Sequence, residues 1–112
     1  MHTTTTIDID ATSHPDLFAR LTLGDDTPER LWVKGNINAL TDDARPSVTI
    51  AGARAATSYG EHITHEIVSD LATTHRIVTG GAYGIEGAAN RAARLVGMPS
   101  VIVTAAGVDR AY

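Results

Sequence analysis

The chain has 112 residues, of which 43% are hydrophobic, and a formal net charge of -4. This length predicts one small domain with its own core, and the lack of cysteine excludes disulfides, thiolate metal sites and cysteine nucleophiles. Since no apolar run reaches the roughly 20 residues that span a bilayer, we expect a cytoplasmic protein without a membrane partner, whose nucleic-acid binding would need a local basic patch.

The N-terminal part of the chain predicts little regular structure. Residues 1–13, rich in Thr and Asp, predict a flexible tail, or at most a frayed edge strand through Ile7 and Ile9. The domain is expected over residues 14–112. A short helix should begin at His14-Pro15, because proline fits a first helical turn, and end at the Gly-Asp-Asp sequence of 24–26. Leu31–Val33 is a strand candidate.

The rest of the chain alternates short apolar runs with segments of helical spacing. Strands are predicted at Ser47–Ala51, Arg76–Thr79 and Ser100–Thr104, and helices at Ser58–Thr74, capped by Ser58 or Thr57, and from Ile85 to Val96. This β-α-β-α-β order predicts an α/β fold, a Rossmann-like three-layer sandwich. Its sheet should be small and mainly parallel, and a short helix and strand should precede it.

Two glycine-rich turns, Ile50–Arg54 and Thr79–Glu86, each follow a predicted strand and precede a predicted helix. Backbone N–H groups at such a helix start lie at a positive dipole end, which favours an anionic group. The turns are therefore predicted to share one phosphate-binding crevice. The alternative is that the glycines only permit tight turns between strand and helix.

Other polar residues suggest chemistry more weakly. His62, His65 and Glu66 have the spacing of metal ligands on a helix, but no further ligand to complete a site is evident nearby. An exposed helix face is therefore favoured, and no metal site is expected. Glu86 could act as a general base, although a first-turn acid stabilised by the helix dipole is favoured. No catalytic residue is predicted.

Several motifs together resemble one protein family. They are Leu31-Trp-Val-Lys-Gly-Asn36, Val48-Thr-Ile-Ala-Gly-Ala-Arg54, Ser58-Tyr-Gly60, the segment Ile77–Ala89, and Val101–Asp109 with Tyr112. In this order and spacing, from about residue 14 to the end, they resemble the DNA-processing protein A family, also called DprA or Smf.

The resemblance implies a non-enzymatic, cofactor-free Rossmann-like domain. It implies that the protein binds single-stranded DNA and helps to load a RecA-type recombinase during uptake of transforming DNA. Both glycine turns form the phosphate pocket in that family, and Arg54 would offer a forked donor set to a backbone phosphate. The DNA- or phosphate-binding residues expected here are Gly52, Ala53, Arg54, Ser58, Tyr59, Gly60, Gly80, Gly81, Ala82, Tyr83 and Gly84.

The two turn tyrosines, Tyr59 and Tyr83, could stack on bases, although packing of each ring against its own helix is favoured. Departures from the family pattern also occur in and after the turns. Ala53 replaces a Ser or Thr, Gly81-Ala82 replaces Leu-Ala, and Glu86 and Asn90 replace an Asp and a His.

The family continues beyond the tyrosine that matches Tyr112, into further strands, basic residues and a self-association surface. We therefore expect either a truncated domain or a minimal relative that completes its sheet by pairing with another chain as a homodimer.

Two alternatives use the same crevice. The second turn also resembles that of the lysine-decarboxylase-like (LOG) nucleoside-monophosphate phosphoribohydrolases, although the glycine-rich motif that carries their catalytic glutamate is missing from the sequence. The second alternative is a sensor or scaffold that binds a small nucleotide without catalysing a reaction.

Overall fold

The computed structural model describes residues 6–21, 26–41 and 45–104, which form two compact units. The first unit contains the described residues up to Thr41, and the second contains residues 45–104. The first helix ends at Ala19, earlier than its predicted end at 24–26, because the backbone N–H groups of Arg20 and Leu21 bond three residues back in a tight closing turn. Positions 24–25 and the last matched positions, 105–112, lie outside the described residues.

The first unit pairs two antiparallel strands. Its elements are β1 (Thr6–Asp10), α1 (Pro15–Ala19), β2 (Arg30–Lys34) and α2 (Asn38–Thr41). The register runs from Thr6 opposite Lys34 to Asp10 opposite Arg30, with Ile9 and Phe18 buried. Residues 6–10 are thus fully paired, as in the edge-strand alternative rather than the flexible tail. The strand of β2 is confirmed, whereas α2 was not predicted.

A local turn closes the end of β1. The carboxylate of Asp10 accepts hydrogen bonds from the backbone N–H groups of Thr12 and Ser13, both at 2.9 Å. The bond from Ser13 holds the pKa of Asp10 below its usual value. Across the two strands, Arg30 donates to the Asp8 carboxylate at 2.7 Å. Both side chains of this pair are about half exposed, so the pair contributes little to stability.

The second unit contains a three-stranded parallel sheet and two helices. Its elements are β3 (Ser47–Thr49), α3 (Ser58–Leu71), β4 (Arg76–Thr79), α4 (Ile85–Leu95) and β5 (Ser100–Ile102). The strand order is β3-β4-β5, with Ile77 of β4 paired to Val48 and to Ser100. The predicted α/β class and parallel sheet are confirmed, with β3 and β5 shorter than expected.

A small aliphatic core holds this unit together. Its fully buried members are Val68, Ala72, Ile77, Ala89, Ala92 and Ala93, and Val48, Ile50, Leu71 and Met98 pack against them. Four alanines of α4 recur at helical spacing on the buried face of that helix. Because alanine has almost no side-chain volume, α4 lies close to α3 and to β4.

The ends of both helices follow local chemistry. Thr57 is the N-cap of α3, and its hydroxyl accepts from the backbone N–H of Gly60 at 3.0 Å. At the end of α4, the N–H of Gly97 donates to the carbonyl of Arg94 and that of Met98 to Ala93, both at 3.0 Å. With a φ of +76° at Gly97, this is a Schellman motif, which satisfies the last helical carbonyls.

Removal of the cap should destabilise the second unit measurably. We expect Thr57→Ala to lower the free energy of unfolding by about 1 kcal/mol, because the Gly60 N–H loses its acceptor. Thr57→Ser keeps a hydroxyl and serves as the matched control. Urea denaturation followed by circular dichroism measures both, and equal midpoints for the two variants would contradict the assignment of the cap.

Candidate phosphate-binding site

The two glycine turns lie in direct contact with each other. Since β3 and β4 are parallel, both turns begin at the carboxyl ends of the strands, on the same side of the sheet. The N–H of Ile85 donates to the carbonyl of Ala53 at 3.1 Å. Gly84 has a φ of +77°, and a Cβ there would overlap the backbone of Ala53 and Arg54. Gly52 lies against the Ile85 side chain with no room for a Cβ. The structure therefore brings together the turns that the sequence predicted to share a crevice.

The first turn presents unpaired hydrogen-bond donors. Residues 51–55 are exposed, and within the described chain the N–H groups of Gly52, Ala53 and Arg54 have no acceptor. The guanidinium of Arg54 is exposed and makes no hydrogen bond or ion pair with any described residue. Two other arginines of this unit are engaged: Arg45 donates to the Ala72 carbonyl at 2.8 Å, and Arg76 donates to the Ser47 hydroxyl at 3.2 Å. An anion arriving at the first turn would meet N–H donors without displacing a protein partner.

The second turn has partners of its own. The N–H of Gly80 donates to Oε1 of Glu86 at 2.6 Å, and the N–H of Gly81 donates to the Thr79 hydroxyl at 3.2 Å. That hydroxyl donates in turn to Oδ1 of Asn90 at 3.1 Å. The N–H groups of Gly80 and Gly81 are therefore both satisfied by side chains. Glu86 of α4 accepts directly, and Asn90 of α4 holds the Thr79 hydroxyl that accepts from Gly81.

Glu86 occupies the predicted place in the first turn of α4, but its hydrogen bond was not predicted. The sequence also did not predict that Asn90 is a partner of the turn, or that the Thr79 hydroxyl accepts from the Gly81 N–H. The available signal was spacing: Glu86 and Asn90 are four residues apart, so they lie on one face of α4, directly after the turn. Spacing alone does not say which N–H group each side chain accepts from.

The remaining predicted residues surround the junction of the turns. Ser58 is the first residue of α3 and is exposed, while the N–H of Gly60 is taken by the Thr57 cap. Tyr59 and Tyr83 are 74% and 71% exposed. The sequence favoured packing of each ring against its own helix, but rings this exposed pack against their helices only slightly. Both rings present an open aromatic face near the turns.

The metal-like spacing on α3 corresponds to a contact between two of the three side chains. Nε2 of His62 lies 3.1 Å from Oε1 of Glu66, with both side chains mostly exposed. Among the residues that the structure describes, no three His, Asp or Glu side chains are placed to hold a metal ion. Within the same residues, no helix is long and apolar enough to cross a membrane.

A parallel sheet with two glycine turns meeting at the carboxyl ends of its strands defines a Rossmann-like α/β domain. The chain belongs to the DNA recombination-mediator protein A family, whose family model matches residues 5–112. The resemblance of the motifs to this family is thereby confirmed.

Relatives and a solved structure agree with this assignment. The chain is 42% identical over 88 residues to a DNA processing protein DprA assigned in Mycobacterium tuberculosis, covering 77% of the chain. It is 33% identical over 87 residues to the DNA processing protein DprA of Streptococcus pneumoniae, covering 78% of the chain. The X-ray structure of the S. pneumoniae DprA matches 95% of the chain with a TM-score of 0.79 and 28% identity.

The matched region is a minor part of each relative. The chain spans 22% of the M. tuberculosis protein and 30% of the S. pneumoniae protein, and it covers 36% of the S. pneumoniae chain of known structure. Most of the length of each complete relative therefore lies outside the region that matches this chain.

Proposed function

We propose that this domain acts in DNA processing by binding the phosphate backbone of single-stranded DNA, without catalysis, at the first glycine turn. The observation that carries the proposal is the exposed, unpaired Arg54 in a turn whose N–H groups also lack acceptors within the described chain. Membership in the DNA recombination-mediator protein A family makes DNA the expected source of the phosphate.

Local charge is compatible with this role despite the acidic composition. Residues 45–104 contain five arginines and four carboxylates, whereas the described residues of the first unit contain five carboxylates. One of the four carboxylates, Glu86, is hydrogen-bonded inside the second turn, and Glu66 pairs with His62. A phosphate approaching the first turn would thus meet an arginine whose charge is not paired within the described residues.

The exposed tyrosines support a single-stranded partner. A base is available for stacking on Tyr59 or Tyr83 only where it is not held in a duplex. Both rings are more than two-thirds exposed beside the turns. Together with a phosphate contact, such stacking gives the sequence-tolerant mode of recognition typical of proteins that bind single strands.

The homodimer and the contact with a RecA-type recombinase belong to the same proposal. Among the described strands, β3 and β5 form the two edges of the parallel sheet, each with one neighbour. Such edges favour pairing with another chain. Sedimentation equilibrium of the chain measures the first of these expectations, and a single monomeric species across concentration would contradict it.

Arg54 gives the sharpest test of DNA binding. We expect Arg54→Ala to weaken binding of a fluorescein-labelled (dT)20 about tenfold at low salt, because one charge-assisted phosphate contact is lost. The slope of log affinity against log salt should fall by about 0.7, the value for one phosphate of a single strand. Fluorescence anisotropy over a salt series measures both quantities.

Arg94→Ala is the matched control, because Arg94 is an exposed arginine in the last turn of α4, about 12 Å along the helix axis from Glu86. Its loss should leave the affinity nearly unchanged. No binding by the natural chain at low salt, or equal affinities for both variants, would overturn the proposal. A thermal shift with nucleoside monophosphates but none with (dT)20 would favour the small-nucleotide alternative.

A further inference from the structure

The second glycine turn already contains an anion. We propose that the Glu86 carboxylate takes the place of a phosphate in this turn, and thereby selects phosphodiesters over phosphomonoesters at the first turn. This inference rests on the proposed function and names the substrate class of that same site. Its evidence is the 2.6 Å hydrogen bond from the Gly80 N–H to Oε1 of Glu86.

The backbone at Gly80 is shaped for that carboxylate. The φ of Gly80 is not positive, so residues other than glycine can adopt its backbone conformation. A Cβ on Gly80 would meet Oε1 of Glu86, so any side chain there would require the carboxylate to move away from the Gly80 N–H. The glycine therefore permits the approach of an internal carboxylate, whereas in an anion-binding turn the same freedom would admit an external phosphate.

The neighbouring N–H group is closed in a second way. Gly81 donates to the Thr79 hydroxyl, which donates to Asn90, and Thr79 is only 2% exposed. An external phosphate would have to break this chain of hydrogen bonds and displace Glu86 to reach the two N–H groups. The Thr79–Asn90 bond is partly buried, so leaving its groups unpaired costs free energy, and Glu86 competes with any anion for the Gly80 N–H; both effects disfavour a ligand at the second turn.

The first turn then receives the phosphate in the presence of a fixed negative charge. The two turns are in contact at Gly84 and Ile85, and Glu86 is the next residue. Repulsion between Glu86 and a bound phosphate grows in proportion to the ligand's charge. A phosphodiester carries one negative charge, whereas a monoester carries nearly two above its second pKa of about 6. Glu86 therefore penalises mononucleotides more than the backbone of a DNA strand.

Two small probes separate these ligand classes. Thymidylyl-thymidine (TpT) has a single phosphodiester, and thymidine monophosphate (dTMP) has a single monoester on the same nucleoside. Arg54 attracts the dianion more strongly while Glu86 repels it more strongly, so the contribution of Glu86 is read from a comparison: we expect the ratio of TpT affinity to dTMP affinity at pH 8 to be higher for the natural chain than for Glu86→Gln. Titrations of the ¹⁵N-labelled full chain at constant ionic strength, followed in ¹H–¹⁵N spectra, give both affinities and should move the Ala53 and Arg54 signals rather than Gly80.

Glu86→Gln removes the charge but keeps an oxygen that can accept from Gly80. It should bind dTMP roughly fivefold more tightly and TpT about twofold more tightly, because the removed repulsion scales with ligand charge. Asp70→Asn makes the same charge change near the end of α3, roughly 18 Å along its axis from Ser58 at the start of that helix, and should alter neither affinity.

The outcomes separate this inference from the proposed function. If the natural chain binds (dT)20 but Glu86→Gln changes both probes equally or not at all, the selection by Glu86 is wrong and the DNA site stands. If the natural chain binds neither probe nor (dT)20, the phosphate site itself is wrong, and the selection falls with it. A Gly80 signal that moves on dTMP binding to the natural chain would also overturn the closed second turn.

Discussion

Gly84→Ala is expected to lower the free energy of unfolding of the second unit by about 3 kcal/mol or more. The φ of +77° and ψ of -126° at this residue belong to a region that side chains rarely adopt, and the strain of an alanine there is of order 1–3 kcal/mol. The added Cβ would also overlap the backbone of Ala53 and Arg54. Relief would require the two turns to separate, which would break the hydrogen bond from Ile85 to Ala53.

A second glycine distinguishes backbone strain from overlap. Gly97 has nearly the same φ, +76°, but a Cβ there would meet no heavy atom within 4 Å. Gly97→Ala should therefore cost only about 1 kcal/mol, the conformational part. Chemical denaturation of both variants measures the difference, which reports the contact between the turns. Equal losses of stability would show that the two turns are not held against each other.

Ile77→Ala should have an effect of similar size through the core. Ile77 is fully buried in β4, the middle strand, and is among the largest buried side chains of the described chain. Removal of a buried isoleucine side chain to alanine costs 2–5 kcal/mol, since the neighbours close the resulting cavity only in part. We expect a loss in that range by chemical denaturation.

Ile102→Ala is the control for this core substitution. Ile102 lies on the adjacent strand, opposite Thr79, but is 50% exposed. The same chemical change should cost less than about 1 kcal/mol there, because part of the side chain already contacts water. A comparable loss from both variants would contradict the position of β4 at the centre of the core.

The accuracy of the sequence-based predictions followed how local each signal was. The bounds of β4 agree with the structure, and α3 and α4 differ only at their C-terminal ends, because helical spacing, the Thr57 cap and the Gly97 stop all act within a few residues. For residues 6–10 the sequence predicts an edge strand only as an alternative to a tail. The register of this strand depends on β2, whose partner residues are 20 to 28 positions away, and its own composition of Thr and Asp is a poor strand signal.

The candidate site likewise has one feature that the sequence could predict and one that it could not. Contact between the two glycine turns could be predicted, since parallel strands carry both turns to one edge of the sheet. The occupation of the second turn by Glu86 could not, because a glutamate after a glycine turn equally suits a solvated position in the first turn of a helix. Only the coordinates show that its carboxylate folds back to Gly80.

The buried alanines of α4 restrict which side chains this helix can carry. Ala89, Ala92 and Ala93 have no exposed surface, and Ala88 has 4%. Nearly every other residue type adds volume at these positions, and a close-packed interior accommodates added methylenes poorly. Substitutions at the four alanines are therefore limited to residues as small as glycine or serine. Substitutions that leave the fold intact should concentrate on the exposed face of α4, where Arg91 and Arg94 lie.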